Sequence, residues 1–398
     1  MPLRLAVIVS HPIQHFAPWH REIAKLSDVN LRVFFCCDWG SQSYFDEEFQ
    51  SELRWDIPLL EGYEYEFLPI GNRPTKLNYW QVDNPGVVEA LDRFEPDIVK
   101  VFGYAHKTNW RVAEWAKRRR TPLLIYSDSN GRRKSPAWKR LAKERIVKRF
   151  YRRVDGALFV GDNNRAYHSQ FGIPDERLFP GSLPIDQRRL IDSVPNRVAT
   201  RRAVRSQHGI PDEAFVVLFC GKFSAGKRPL DVIVGAQLAA EKGIPVWSSL
   251  VGEGPLRNSL ATYCRDRAVR NCVLTGFVNQ SSIAKYYVAS DVLAVSSEDD
   301  AHPLVVSEAA TFGLPVIVSD RVGCIGPGDT ARPGVNAIVY PSSDRDKLAA
   351  AIHELQTNKS LYHKLSIGAE EIARTQDVTR AATELEEAAQ CLMTLGPR

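Results

Sequence analysis

The sequence predicts an α/β chain of two Rossmann-like domains facing across a cleft, on three observations. Apolar runs of strand length alternate with amphipathic helical stretches, these runs fall into two sets, and a proline-bearing stretch with little apolar periodicity separates them. At 398 residues the chain exceeds what one hydrophobic core usually serves, and 44% apolar residues are enough for two.

Taken in order, "LRLAVIVS", "VNLRVFFC", "PDIVKVFG", "TPLLIYSD" and "GALFVG" supply the strands of an N-terminal domain, residues 1–190. "AFVVLFCGK", "IPVWSSLVG", "NCVLTGF", "DVLAVSS", "PVIVSD" and "NAIVYP" supply those of a C-terminal domain, residues 200–365. Between the sets, "PGSLPIDQRRLIDSVPNRVATRR" carries prolines at 180, 184 and 195, which places a hinge near residues 184–200. The tail, residues 366–398, reads as helix without strands and is a candidate to pack back on the N-terminal domain.

The 52 Lys+Arg against 47 Asp+Glu leave a net charge of +5, a mild excess that speaks to local patches rather than to a nucleic-acid protein. Seven cysteines occur without a CxxC pair or a Cys/His cluster at metal spacing, so buried, reduced thiols of a cytoplasmic protein are expected. No stretch approaches the roughly 18 apolar residues of a membrane span.

Open α/β sheets bind ligands beyond the carboxyl ends of their strands. In "DDAHPLVVSEAATFGLPVIVSD", residues 299–320, Asp300 stands in the loop after a strand and Glu308 inside the helix that follows. Pro303 suits the first helical position and Gly313 the end, so Glu308 falls in the second turn, too deep to cap the helix. Free backbone N–H groups near residues 302–305, with the helix dipole, favour an anion such as a diphosphate. Acids that only accept hydrogen bonds suit the hydroxyls of a sugar or ribose. In "FCGKFSAGKRPLDVI", a strand ends at Gly221, and Lys222 and Lys227 sit on a small-residue turn, the makings of a phosphate clamp. "LVGEGPLRNSL" repeats strand, glycines (Gly252, Gly254) and helix start, without the third glycine of a dinucleotide fingerprint.

The ordered set "GKFSAGK", "VGEGPLRNSL", "LTGFVNQSSIAKYYVASDVLAVSS", "DAHPLVVSEAATFGLPVIVSD" and "GVNAIVYP", over about residues 215–345, resembles the C-terminal half of retaining glycosyltransferases of family 4 (glycosyl transferases group 1), which have the GT-B fold. The resemblance implies a hexosyltransferase-type enzyme of polysaccharide or related glycan synthesis, with a nucleotide-sugar as donor substrate, no cofactor and no metal. By it, Glu308 matches the second acid of the family's E-x7-E motif, which holds the nucleotide ribose, and Asp300 the first, which contacts the donor sugar. Lys227 matches the lysine, and Lys222 the usual arginine, that bind and stabilise the leaving diphosphate. The stretch His302, Pro303, Leu304 and Val305 offers backbone amides to sugar and phosphate, Pro303 itself having none. Two departures stand out: Asp replaces Glu at 300, and Lys replaces Arg at 222, which loses the bidentate fork. They motivate a non-catalytic nucleotide-sugar-binding relative as one alternative; a GT-B nucleotide-sugar epimerase is another.

The N-terminal half resembles the family less closely. "HPIQHFAPWHREIAKL" stands where many members carry a glycine-rich loop, and a subset of them shares its His-Pro-Ile-Gln turn. His11, His106 and Asp128 follow strands and are candidates to touch substrate or phosphate. Residues 132–153, with eleven basic residues and one acid, carry Trp138, Leu141, Ala142, Ile146 and Phe150 near helical spacing. Such a helix fits either an anionic membrane surface, which suits a lipid-linked acceptor and a peripheral position on the cytoplasmic face, or a core with a solvated basic side. The aromatic, acid-rich insertion at residues 38–56 suits a glycan acceptor or a lid packed by its own rings.

Overall fold

The computed structural model describes residues 2–46, 49–132, 136–241, 243 and 245–398. Glu47 and Glu48 of the insertion, Arg133, Lys134 and Ser135 of the basic stretch, and Ile244 of a quoted strand lie outside them. The chain divides into two units: unit 1 comprises residues 1–44, 58–184 and 377–398, and unit 2 residues 45–57 and 185–376.

Unit 1 is built on strands β1 (Leu3–Val9), β2 (Val29–Phe35), β5 (Tyr65–Phe67), β6 (Ile98–Phe102), β7 (Leu123–Tyr126), β8 (Gly156–Phe159) and β9 (Leu178–Pro180). The short β3 (Tyr44–Asp46) and β4 (Ser51–Leu53), which fall mostly in unit 2, pair with each other in a two-stranded sheet. The seven strands form one parallel sheet in the order β5-β2-β1-β6-β7-β8-β9. Helices α1 (Ala17–Ala24), α2 (Val87–Phe94), α3 (Lys107–Arg119), α4 (Ala137–Tyr151) and α5 (Asp162–Gln170) connect them. The strands are near-continuous runs of Val, Ile, Leu and Phe because both faces of a parallel sheet are covered; Leu5 to Val9 are all buried.

Unit 2 opens with α6 (Gln187–Asp192) and α7 (Arg197–Gln207). The passage between the units falls at Pro184/Ile185, and the stretch read as a hinge to residue 200 is mostly these two helices. Asp186 and Asn196 cap them through Arg189 N and Ala199 N, signals hidden in a proline-punctuated context. There follow β10 (Phe215–Cys220), α8 (Pro229–Ala240), β11 (Val246–Val251), α9 (Arg257–Asp266), β12 (Cys272–Gly276), α10 (Ala284–Ala289), β13 (Val292–Val295), α11 (Leu304–Thr311), β14 (Val316–Ser319), β15 (Ala337–Tyr340), α12 (Arg345–Thr357) and α13 (Lys359–Ala373). The sheet is parallel, in the order β12-β11-β10-β13-β14-β15. Chain order reverses between β10 and β13, so the loops after these two strands border one crevice, the topological switch point.

The last helix, α14 (Val378–Leu395), belongs to unit 1, where it lies against α1, β8 and β9. It buries Val378, Ala381, Ala382, Leu385, Ala388, Ala389 and Leu392, and Glu384 accepts from Ser182 N at 2.7 Å and Ser182 Oγ at 3.0 Å. The insertion is divided too, since residues 45–57 pack with unit 2: Phe49 and Trp55 meet Phe277 at 5.6 and 6.1 Å, and Asn279 donates to Arg54 O at 2.6 Å. Phe49 and Trp55 anchor this part on Phe277, while Trp39 and Tyr44, earlier in the insertion, meet each other at 5.7 Å.

The apolar stripe expected over the basic stretch does not act as one face. In α4 the core takes Val147, Phe150 and Tyr151, while Trp138 is 68%, Leu141 54% and Ile146 56% exposed. About 100° per residue carries Trp138 and Phe150 to faces about 120° apart, beyond what one contact surface covers.

Candidate functional site

Two loops meet at the switch point of unit 2. The first, residues 221–228, leaves β10 through Gly221 (φ 154°) and passes Lys222, then a single turn of 3-10 helix over Ala225–Lys227, into α8. The glycines of the neighbouring β11–α9 loop make its path: a Cβ on Gly252 would stand 1.8 Å from Gly221 O, and one on Gly254 2.8 Å from Phe223 O. Backbone thus runs against backbone, which admits only glycine. Phe223 N donates to Glu253 O at 2.7 Å and Leu256 N to Phe223 O at 2.9 Å, closing the two loops together.

The second loop, residues 296–303, follows β13. Ser296 Oγ donates to Lys227 O at 2.9 Å and Arg228 O at 3.0 Å, and Glu298 N to Gly226 O at 2.8 Å, so each loop fixes the other. Lys227 Nζ is ion-paired with the Asp300 carboxylate, and Gly323 N donates to Asp300 O at 2.8 Å. Lys222 Nζ lies 5.0 Å from the centre of the Phe49 ring, on the insertion that packs with this unit.

Pro303 is the N-cap of α11 in extended backbone (φ −68°, ψ 116°), one place earlier than a first helical residue, and helix begins at Leu304. The amides of Leu304 and Val305 fall in the first turn, where helical geometry gives an N–H no partner from its own helix. The His302 side chain points inward: it is buried, its Nε2 is 3.2 Å from Thr330 Oγ1, and burial pulls it down to about 4. Glu308 lies in the second turn of α11, half-buried. Its Oε2 accepts from the Tyr287 hydroxyl at 2.5 Å. Burial pushes the Glu308 carboxyl up, while the Tyr287 hydrogen bond and then the Arg189 charge work against that rise.

Asp300, Lys227, Lys222, Glu308, Gly221, Gly252, Gly254 and the stretch 302–305 therefore gather around one crevice of unit 2. Within unit 1, His11 and His106 follow β1 and β6, the strands on either side of that sheet's switch point, and Asp128 follows the next strand, β7. His11 Nδ1 is 2.9 Å from Ser10 Oγ. Burial first, and His106 second, lower His11 to about 4; burial lowers His106 also, and Asp128 is exposed. Tyr287, Arg189 and Phe49 were missed in the sequence. They stand 21, 119 and 173 residues from the residues they approach, Glu308, Glu308 and Lys222, and no local spacing ties such partners together.

Two parallel sheets in doubly wound order, each with its loops gathered at a switch point, define the GT-B class of fold. Residues 7–180 match the family described as Glycosyl transferase 4-like domain, and residues 200–372 match Glycosyl transferases group 1. Together these matches take in most of the chain, which belongs to the family 4 glycosyltransferases. Similar curated relatives include the D-inositol 3-phosphate glycosyltransferase of Xylanimonas cellulosilytica, 28% identical over 51% of this chain and 49% of the relative. Another is the GDP-mannose-dependent alpha-mannosyltransferase of Mycobacterium tuberculosis, 30% identical over 46% of this chain and 45% of the relative. The chain spans about half the length of these curated relatives. Among solved structures, Anabaena HepE in complex with UDP superposes with a TM-score of 0.72 at 18% identity, over 98% of this chain and 100% of that one.

Proposed function

We propose that the protein moves a hexosyl group from a nucleotide-sugar donor to a glycan, lipid-linked or small-molecule acceptor, with retention of configuration and without a metal ion. The observation that carries this is the convergence of two lysines, two acids and the first turn of α11 at one switch point. Lys222, Lys227 and the α11 amides take the diphosphate, Asp300 the donor sugar and Glu308 the ribose. As the bond from the anomeric carbon to the diphosphate breaks, negative charge grows on the leaving oxygen, where preorganised cations and amides act most strongly. The acceptor oxygen bonds to that carbon on the face the diphosphate leaves, and its proton passes to a departing phosphate oxygen. Retention is carried over from the family. The names of relatives, one dependent on GDP-mannose, and the UDP-glucose complex of HepE support GDP- and UDP-sugars as first candidates.

The test is thermal shift of wild type and Glu308→Ala against UDP-, GDP-, dTDP- and ADP-sugars. A ligand at about 100 times its dissociation constant adds about 2.7 kcal/mol to the folded state. Stabilisation of wild type by one class, lost in the variant, supports the site, and silence across all of them overturns it. Sugar release only when an acceptor is present then separates a transferase from an epimerase or a non-catalytic binder.

We also propose that α4 places the protein on the cytoplasmic face of an anionic membrane. No helix among the described residues is long and apolar enough to cross one. The exposed Trp138, Leu141 and Ile146 share the outward half of α4 with the exposed Arg145, Arg149 and Arg152. Apolar groups flanked by cations suit a headgroup layer. Sedimentation with phosphatidylglycerol vesicles, lost in Trp138→Glu with an unchanged melting temperature, is expected; equal sedimentation of wild type and variant overturns the idea.

A further inference from the structure

We infer that Tyr287 is a positioning residue for nucleotide recognition, its hydroxyl holding one carboxylate oxygen of Glu308 so that the other stays available to ribose hydroxyls. This rests on the reading of Glu308 as the ribose-binding acid.

Four observations carry it. Tyr287 is fully buried in α10, and its hydroxyl donates to Oε2 of Glu308 at 2.5 Å, within the range of charge-assisted bonds. Its ring is held flat against Phe312, with centroids 5.9 Å apart and planes inclined by 10°. The Arg197 guanidinium lies 5.2 Å over Phe312, so the pair is backed by a cation. Other polar groups around Glu308 are otherwise engaged or poor donors. From α6, Arg189 gives its two terminal nitrogens to Gln280, at 2.5 Å to the backbone O and 3.0 Å to Oε1, while its Nε is ion-paired with Asp186 Oδ2 at 3.5 Å, and from the end of β10 comes the Cys220 thiol, a weak donor. Tyr287 is thus the group that both donates to Glu308 and is itself fixed.

The arrangement joins two helices on either side of β13, the strand whose following loop carries Asp300. A carboxylate on a single helix can swing through several rotamers. One oxygen tied to a buried phenol removes that freedom before the ligand arrives, which is the form preorganisation takes in a binding site. The same bond works against the burial that raises the carboxyl and so favours its ionised form, the form that presents acceptors alone to ribose.

The experiment compares wild type, Tyr287→Phe and Glu308→Ala for binding of UDP, GDP and their 2′,3′-dideoxy forms between pH 6 and 8. Phenylalanine keeps the ring stack and removes only the hydroxyl. Expected for Tyr287→Phe is binding of the preferred nucleotide weakened about tenfold at pH 7, the size of one charge-assisted hydrogen bond. The loss should grow as pH falls, because losing the hydroxyl removes a group that favours the ionised carboxyl, and it should vanish for the dideoxy form. A variant with wild-type affinity and a wild-type pH profile overturns the inference. So does an equal loss for ribo and dideoxy forms, since a packing defect gives that pattern. If Glu308→Ala itself leaves nucleotide binding intact, the ribose reading fails instead. Should Tyr287→Phe not fold, Phe312→Leu unseats the ring with the hydroxyl retained; a pH-dependent loss confined to the ribo forms supports the inference, and its absence overturns it.

Discussion

Replacing Gly252 by alanine tests whether the loops after β10 and β11 depend on two backbones in contact. Gly252 sits at φ 148°, and an added Cβ would stand 1.8 Å from Gly221 O and 2.9 Å from the Gly221 carbonyl carbon. Gly221 cannot retreat, because its N–H donates to Val251 O at 3.0 Å while Gly252 N donates to Gly276 O at 2.9 Å. Relief costs roughly 1–3 kcal/mol of disfavoured backbone plus about 1 kcal/mol for each of these two bonds, or about 4 kcal/mol in total. At roughly 2–4 °C per kcal/mol for a unit of this size, Gly252→Ala should melt about 8–16 °C lower. Gly226→Ala is the control: nothing lies within 4 Å of its Cβ and its φ is ordinary, so it should melt within about 1 °C of wild type. Calorimetry reads both, and isothermal titration with UDP tells whether Gly252→Ala loses the nucleotide at a temperature where it is still folded. A Gly252→Ala protein melting within about 2 °C of wild type would refute the reasoning.

Asp300→Asn keeps the shape but removes the charge beside Lys227, and should lower turnover by roughly ten- to a hundredfold while the donor KM moves far less, as steady-state kinetics will show. Arg205 donates to four backbone carbonyls and to Asp291; Arg205→Met should cost about 3 kcal/mol in urea unfolding, because Arg201 still holds the other Asp291 oxygen. His302, lowered from 6.5 to about 4, binds fewer protons folded than unfolded between those values, so its contribution is present above pH 6.5 and is lost as pH falls toward 4. For a buried imidazole this amounts to about 3 kcal/mol, and His302→Gln should flatten the fall of unfolding free energy with pH over that window.

The two sheets were readable because parallel strands, covered on both faces, write themselves as near-continuous apolar runs such as "LRLAVIV" and "FVVLFC". Glu308 in a second turn was readable from Pro303 and Gly313, since helix ends obey local rules. The cap at Pro303 was displaced by one residue, the usual size of error where a helix begins. What stayed hidden depends on distance in the chain. Tyr287 meets Glu308 only because α10 and α11 flank β13, and Phe49 meets Lys222 only because the insertion packs against Phe277. The α4 stripe misled for a different reason: its residues are near helical spacing pair by pair, but over twelve residues the drift carries Trp138 and Phe150 onto different faces, one exposed and one buried.

Helix α14 sets a timetable for the making of this protein. The strands of unit 1 are all synthesised by residue 180, yet the helix that covers α1, β8 and β9 begins only at residue 378. At a ribosomal rate of about 5–20 residues per second, the nascent unit waits roughly 10–40 s with that flank bare, while residues 185–376 of unit 2 are made. Severing the gene after residue 184 would make the wait permanent: the first fragment would lack its closing helix, and the second would lack the segment that brings Phe49 to Lys222. Halves of this protein should therefore recover their folds only when produced together.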